Sequence, residues 1–459
     1  MSRGILAVGA YAPENRAPAE AFEEAWGRFD APGVETKAVP DADEDALTMG
    51  VEAARRALLA GEVDGDTLDR LAFATTTPPL AEEDLTPRLG SYLGAPADAT
   101  RRTYTGSTRA GVDALFDAIE TGGTALVVVA DCPEGEPDDS REHAAGAGAV
   151  ALLVGDDAPA VIAERATHAD TRPGTRFREH GSETLDGLDI GTYDRAAFTD
   201  PVETAVDGLD ASGADTIALQ APNGKLPYRS SLDNEAIAAV ETVSELGDTA
   251  AASVPLSLAV AFEDDYDRTL AVAWGSGAGA TAFHIEGTAP VETALSGSTD
   301  LDYPAYLRRR GDIVGEKPDG GAAHVPVPTW RRSLPQRHRH EAGRCPDCGA
   351  VAFPPEGACP DCRGLVEFDP VEPSLFGTVD AATTIGQGGA PPEFAEQQAR
   401  QGAFGVAVVR FPAGEDEVSL PMQVLGEASV DDEVKAVPRR VYVEEGVPRY
   451  GLKALPQSD

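Results

Sequence analysis

Two hydropathic rhythms alternate through residues 1–290, and then the chain changes character. Short apolar runs at 71–75, 124–130, 149–154, 216–220 and 270–274 show no polar alternation. Runs of that length and composition predict strands buried on both faces. Between them, 43–59, 109–120 and 201–209 carry apolar residues three and four apart. That spacing lays one apolar stripe along a helix, and Asp43 is placed to cap the first of them. Strand and helix in alternation predict a layered α/β architecture around a mostly buried sheet. Residues 316–335, rich in Pro and Gly, break the rhythm and predict a linker. Beyond it, 377–379, 404–411, 420–425 and 440–443 read as strands separated by Gly/Pro turns, with the spacing of a small β-barrel.

At 459 residues, 42% of them apolar, the chain is too long for one ordinary core and suits two or three units. It has no apolar run of about 18 residues and no basic-then-apolar leader, so a soluble cytoplasmic protein with no membrane partner is expected. The formal charge is −41, from 78 acidic and 37 basic residues, and the only lysines are Lys37, Lys225, Lys317, Lys435 and Lys453. The acid excess is spread along the chain and apolar periodicity runs through it, which excludes an acidic tail. A halophilic protein is predicted instead: at ~1 M salt the Debye length is ~3 Å, and surface repulsion is screened. The same charge excludes nucleic acid as a partner.

Four of the five cysteines stand in two knuckles, Cys345-Pro346-Asp347-Cys348 and Cys359-Pro360-Asp361-Cys362, ten residues apart. Each knuckle offers two thiolates, and four close a tetrahedral shell with no position left for water. A structural Zn²⁺ held by Cys345, Cys348, Cys359 and Cys362 in a rubredoxin-like ribbon is predicted. Iron is the alternative an S4 site also accepts, and disulfides are disfavoured in a cytosolic chain.

Several segments carry a family resemblance. Gly4 to Pro13 is similar to the first strand and turn of archaeal-type 3-hydroxy-3-methylglutaryl-CoA synthases, members of the thiolase superfamily. Leu219-Gln220-Ala221-Pro222-Asn223-Gly224-Lys225 resembles their His-x-Pro-Asn-Gly-Lys segment, Trp274 to Ala280 their glycine-rich turn, and Tyr306 to Gly311 their closing helix. The resemblance spans roughly 1–315 in the family's order. It implies a thiolase-like fold in two related halves, 1–160 and 161–315, followed by a linker (316–340), the zinc ribbon (341–367) and an OB-fold barrel (368–459). Cys345 to Pro355 resembles the ribbon of acyl-CoA-associated zinc-ribbon/OB-fold proteins, which in many lineages are separate subunits beside a thiolase. Next to it the basic island 330–340 reads as a solvated lead-in, or as a contact for CoA phosphates or an acidic surface.

In that family a cysteine takes the acyl group, a histidine positions the acyl-CoA and a glutamate is acid/base. Here the resemblance places Thr108, Gln220 and Thr76 at those positions, and Asp248 at an active-site asparagine. A thiolate attacks near neutral pH, whereas an alcohol needs an adjacent base, which glutamine is not. The fifth cysteine, Cys132, ends an apolar run and reads as packing; a Cys132/His143 pair has no motif behind it. The resemblance implies an acyl-CoA thioester as ligand, with Lys225, Asn223 and Gly277 at binding positions. A scaffold or channelling partner of a thiolase, forming a hetero-assembly or homodimer, is the reading we take. An active condensing enzyme and an acyl-CoA aldolase/lyase component are the alternatives.

Overall fold

The computed structural model describes residues 2–210, 213–221, 223–313, 325–386 and 390–457. They form two compact units, Met1–Asp41 with Asp45–Tyr306, and Ala42–Glu44 with Leu307–Asp459. Among the described residues no helix is long and apolar enough to cross a membrane.

Ten strands make the sheet of the first unit: β1 (Arg3–Tyr11), β2 (Arg70–Ala74), β3 (Thr100–Tyr104), β4 (Ala125–Asp131), β5 (Gly148–Asp156), β6 (Ala160–Ala169), β7 (Thr216–Leu219), β8 (Arg268–Gly275), β9 (Gly279–Glu286) and β10 (Val291–Ala294). Their order is β3-β2-β4-β5-β1-β6-β9-β8-β7, with β10 beside β1. The connectivity repeats. Outward from the middle, β1-β5-β4-β2 and β6-β9-β8-β7 each run first, fourth, third, second in chain order. Each path has two antiparallel junctions and then a parallel one. This duplication is carried by topology and leaves no repeat in the sequence.

The central strands are the expected apolar runs: every residue of β4, Ala-Leu-Val-Val-Val-Ala-Asp, is buried. Helix Ala46–Ala60 packs on β1, β5 and β4, and helix Gly191–Asp207 on β9, β6 and β8. Helices Ala110–Thr121 and Ser253–Glu263 share one apolar cluster with strands of both halves, where Phe116 meets Phe283 edge-on at 5.2 Å. The first helix starts later than predicted, because Asp45 and not Asp43 caps it. The Asp45 carboxylate accepts the amides of Leu47 (3.0 Å) and Thr48 (3.1 Å), and the Thr48 hydroxyl accepts the Asp45 amide. Such a box satisfies the orphan donors of the first turn.

In the second unit the strands Ala342–Arg344, Val351–Ala352 and Asp369–Val371 form a small sheet. A closed barrel follows, built from β11 (Phe376–Ile385), β12 (Phe404–Ala413), β13 (Asp416–Val424), β14 (Glu433–Glu444) and β15 (Val447–Pro456), in the order β11-β12-β13-β15-β14, with β14 closing on β11. Val418, Leu420, Met422 and Val424 alternate into its core against Val409 and Phe411. Asp43, the predicted cap, lies buried in this unit, 2.6 Å from Lys453 and 3.6 Å from Arg439. Burial alone would raise its pKa, but these two cations hold it below the usual carboxylate value. Residues 316–324 of the expected linker lie outside the described residues. Its remainder holds two short helices, Val327–Arg332 and Leu334–Arg339, which cover most of the basic island.

Candidate functional site

A cavity of about 350 Å³ opens in the first unit among the 30–32 loop, the 140–144 helix, the 174–176 loop and the turn at Asp248. Backbone-to-backbone packing builds its walls. A Cβ on Gly146 would sit 1.7 Å from the Leu246 carbonyl oxygen, so 144–146 can lie against 246–248 only with glycine there. The Asp248 amide donates to the Ala144 carbonyl (2.7 Å) and the Gly146 amide to that of Asp248 (3.0 Å). On the other side, Gly224 approaches Gly33 closely enough that a Cβ on either would crowd the other's backbone. This sets Asn223, next to the undescribed Pro222, into the cavity wall.

The Asp248 carboxylate pairs with the guanidinium of Arg176, both groups almost fully buried. Its Oδ1 also accepts the amide of Ala250 at 3.0 Å. Ala250 has φ +47°, a left-handed conformation that costs an L-residue on the order of 1–2 kcal/mol. The next amide, Ala251, donates to Asp131 (2.9 Å), so the strained turn is pinned between two carboxylates. Two buried polar atoms on the cavity wall, Nη2 of Arg176 and Oδ1 of Asp194, have no protein partner among the described residues. Burial, then Asp189, raises the Asp194 pKa. The cavity itself is lined by Trp274, Phe198 and Leu226 together with charged side chains, Arg141, Asp189 and Arg195 among them.

None of Thr108, Gln220 and Thr76, the residues that the resemblance sets at the family's catalytic positions, presents a free reactive group. The Thr108 hydroxyl donates to the Trp274 carbonyl (2.8 Å) and accepts the Ser276 amide (3.1 Å). Gln220 is buried, its amide nitrogen bonded to Thr242 Oγ1 (3.0 Å), the Ser253 carbonyl (2.8 Å) and Ser257 Oγ. Thr76 gives its amide (2.6 Å) and hydroxyl (3.1 Å) to Asp131. That carboxylate also accepts the hydroxyls of Thr75 (2.9 Å) and Thr77 (2.8 Å) and the Thr77 amide (2.9 Å). Burial raises the Asp131 pKa even against these donors.

Cys132 and His143 form no hydrogen-bonded pair. Burial, then the carboxylates of Glu134, Asp45 and Asp131, push the Cys132 thiol up, the opposite of what a nucleophile needs. His143 accepts the Asp30 amide at Nδ1 (2.9 Å) and stacks on Phe29. Of the three expected binding positions only Asn223 lines the cavity; Lys225 is exposed, and Gly277 sits in its turn at φ +70°.

In the second unit the four Sγ atoms of Cys345, Cys348, Cys359 and Cys362 all lie within 4.8 Å of one another. Cys345–Cys362 and Cys348–Cys359 are 3.8 and 3.6 Å apart. A tetrahedron with Zn–S bonds of ~2.3 Å has edges of about 3.8 Å, and a disulfide would need ~2.05 Å. The donor set therefore fits zinc. Both knuckles end on a left-handed residue, Gly349 (φ +81°) and Arg363 (φ +63°), which turns the chain back over the site. The bound ion would cross-link the two knuckles and do no chemistry of its own.

Comparison with known proteins agrees with this architecture. Residues 332–367 match the family model described as ChsH2, rubredoxin-like zinc ribbon domain. The hydroxymethylglutaryl-CoA synthase of Thermococcus onnurineus (strain NA1) is 30% identical over 344 residues, 68% of this chain and 97% of that protein. The chain belongs to the hydroxymethylglutaryl-CoA synthase family. The synthase of Pyrococcus furiosus is likewise 30% identical, over 67% of this chain and 92% of its own length. Among solved structures, a synthase described as complexed with CoA superposes with a TM-score of 0.62 at 19% identity, over 71% of this chain and 94% of that one. It shows the shared thiolase-like fold.

Of the cavity's lining, the motifs had singled out Asn223 and Asp248 and not Arg176 or Asp194. A signal was present: Arg172, Arg176 and Arg178 form a basic cluster inside an acidic chain.

Proposed function

We propose that this chain binds an acyl-CoA thioester in the cavity beside Asp248 without forming an acyl-enzyme, and holds or passes it on for a partner thiolase. One observation carries the reading: the Thr108 hydroxyl is fixed between a carbonyl and an amide, and no base is hydrogen-bonded to it among the described residues. Alcohols attack thioesters only when a neighbouring group takes the proton, and the Gln220 amide takes none. A cavity is retained, lined by Phe198, Leu226 and Trp274 and by the arginines Arg141, Arg176 and Arg195, which suit an anionic ligand. The CoA named with a solved relative supports a CoA thioester as ligand.

The fused C-terminal module supports a partnering role. In our reading the ribbon carries Zn²⁺ on its four cysteines, the barrel is of the OB type, and the thiolase-like halves divide near residue 160. Fusion keeps this module at high effective concentration beside the synthase-like part. A second reading, an active condensing enzyme, is favoured by coverage of 97% of a curated synthase. It requires a nucleophile that Thr108 and Cys132 are poorly set to supply.

The two readings separate in one experiment. Intact-protein mass spectrometry after incubation with excess acetyl-CoA in molar KCl should show an unchanged mass, while calorimetry shows binding. A stable acetyl adduct mapping to Thr108 or Cys132 overturns the proposal. A rate gain when a thiolase is added supports the partnering role.

A further inference from the structure

Residues 170–190 leave the end of β6 and return at the helix that starts with Gly191. On the way Thr175, Arg176 and Asp189 line one side of the cavity beside Asp248. The segment is a short hairpin. The amides of Phe177 and Asp186 donate to each other's carbonyls (3.0 and 2.8 Å), and the Leu188 amide donates to the Gly174 carbonyl (2.8 Å). Its root is fixed: Arg172 pairs with Asp200 (3.1 Å), and the Tyr193 hydroxyl donates to the Pro173 carbonyl (2.8 Å). Just beyond the root both legs pass through left-handed residues, Gly174 (φ +81°) and Asp189 (φ +55°). What holds the hairpin down is polar. Arg176 pairs with Asp248, the Arg178 guanidinium donates to the Thr76 carbonyl, the Leu185 amide donates to the Glu134 carbonyl (2.8 Å), and Arg141 pairs with Asp189. Of residues 170–190 only Arg176 and Leu185 are buried, while Leu188 and Ile190 are exposed. A segment with so little apolar burial opens at a far smaller cost than the sheet it leaves. Lifting it carries Arg176 and Asp248 into water together, so neither charge is left alone in a dry interior.

We propose that residues 174–189 are a lid on this cavity, hinged at Gly174 and Asp189 and latched by Arg178, and that ligand enters and leaves when the lid lifts. Hinges of this kind are a few loop residues that absorb the backbone rotation. The identity of the ligand rests on the acyl-CoA reading of the cavity; the opening itself is measurable with no ligand present.

Hydrogen exchange read by mass spectrometry on the full-length, zinc-loaded chain tests the opening. Without ligand, peptides carrying the amides of Phe177, Leu185, Asp186 and Leu188 should exchange together and well before β4. Arg178→Met removes a hydrogen bond from a charged donor and should speed all four by a common factor of about ten, leaving β4 unchanged. Arg178→Lys should restore part of the protection. Protection equal to that of β4, or a response to Arg178→Met confined to its immediate neighbours, overturns the lid. Stopped-flow binding of acetyl-CoA tests the gating. A lid that must lift for passage in both directions predicts that Arg178→Met raises association and dissociation rates alike, about tenfold, with Kd held within about twofold. Unchanged rates overturn the gating, and so does a change in dissociation alone, which is the signature of a fixed wall. Absence of acetyl-CoA binding, with the four amides still opening together, refutes the acyl-CoA reading and leaves the lid supported by exchange.

Discussion

Arg176 and Asp248 are both nearly excluded from water, so neither can be removed without stranding the other's charge. Removing one partner of such a pair costs about 3–5 kcal/mol, whereas replacing both with apolar groups of similar volume is often close to neutral. Arg176→Ala is therefore expected to lower unfolding stability by about 3–5 kcal/mol. The double variant Arg176→Met/Asp248→Leu should recover most of this while still losing acyl-CoA affinity. Denaturant titrations around the double-mutant cycle measure both, and additive single effects would refute coupling. His143 gives a prediction in pH. Burial, then Lys37, lowers its pKa from 6.5, against the opposing pull of Asp30, Asp138 and Glu142. The unfolded chain then takes up its proton first as pH falls. The stability His143 contributes is complete above its unfolded value of 6.5 and is lost as pH drops through the lower folded-state value. Melting temperature should fall from pH 7.5 to 5.5, and the slope should be shallower in His143→Gln. Equal slopes would assign the dependence to other groups.

Elements differ in how much of themselves they write into sequence. Strands β4 and β8 were legible because a strand buried on both faces has to be apolar throughout. Strand β3, Thr-Arg-Arg-Thr-Tyr, was not, because an edge strand is free to be polar and charged, and such residues discourage unwanted pairing. The helix expected from 201 begins at Gly191, its first turns too polar to show a stripe, with Pro201 inside it. The resemblance sets Thr108 and Gln220 in the family's columns through neighbouring glycines, Gly111 and Gly224. The Arg176 wall could not be placed, because it rests on a loop that meets Asp248 only after folding. The ribbon is the opposite case: Cys-x-x-Cys spacing encodes coordination geometry directly, so site and element are read together. One zinc per chain should be found by metal analysis, and Cys345→Ser with Cys359→Ser should abolish it. Because a preformed site does not exist in the unfolded ribbon, chelation should also lower the melting temperature of the second unit. Full zinc content in the double variant would refute the ligand set.

At the scale of the whole molecule the charge of −41 dominates, and the distribution of lysine sharpens the argument. Of the four described lysines, Lys37 is buried against Glu142 at 2.7 Å and Lys453 against Asp43 at 2.6 Å. Two of the four described lysines thus sit in interior ion pairs, and arginine supplies most of the chain's positive charge. A surface so acidic repels itself in dilute buffer, a penalty that counter-ions relieve. We propose a halophilic protein, and the physics sets the shape of its salt response. The Debye length falls from ~10 Å at 0.1 M to ~3 Å at 1 M, so screening between neighbouring carboxylates is largely complete by ~1 M. The melting temperature should therefore climb steeply in KCl and gain most of its increase before ~1 M. Sucrose, which favours burial by exclusion but carries no charge, should give a much smaller rise. A melting temperature that ignores KCl would contradict the proposal. One that rises equally in sucrose would move the cause from charge repulsion to solvent exclusion.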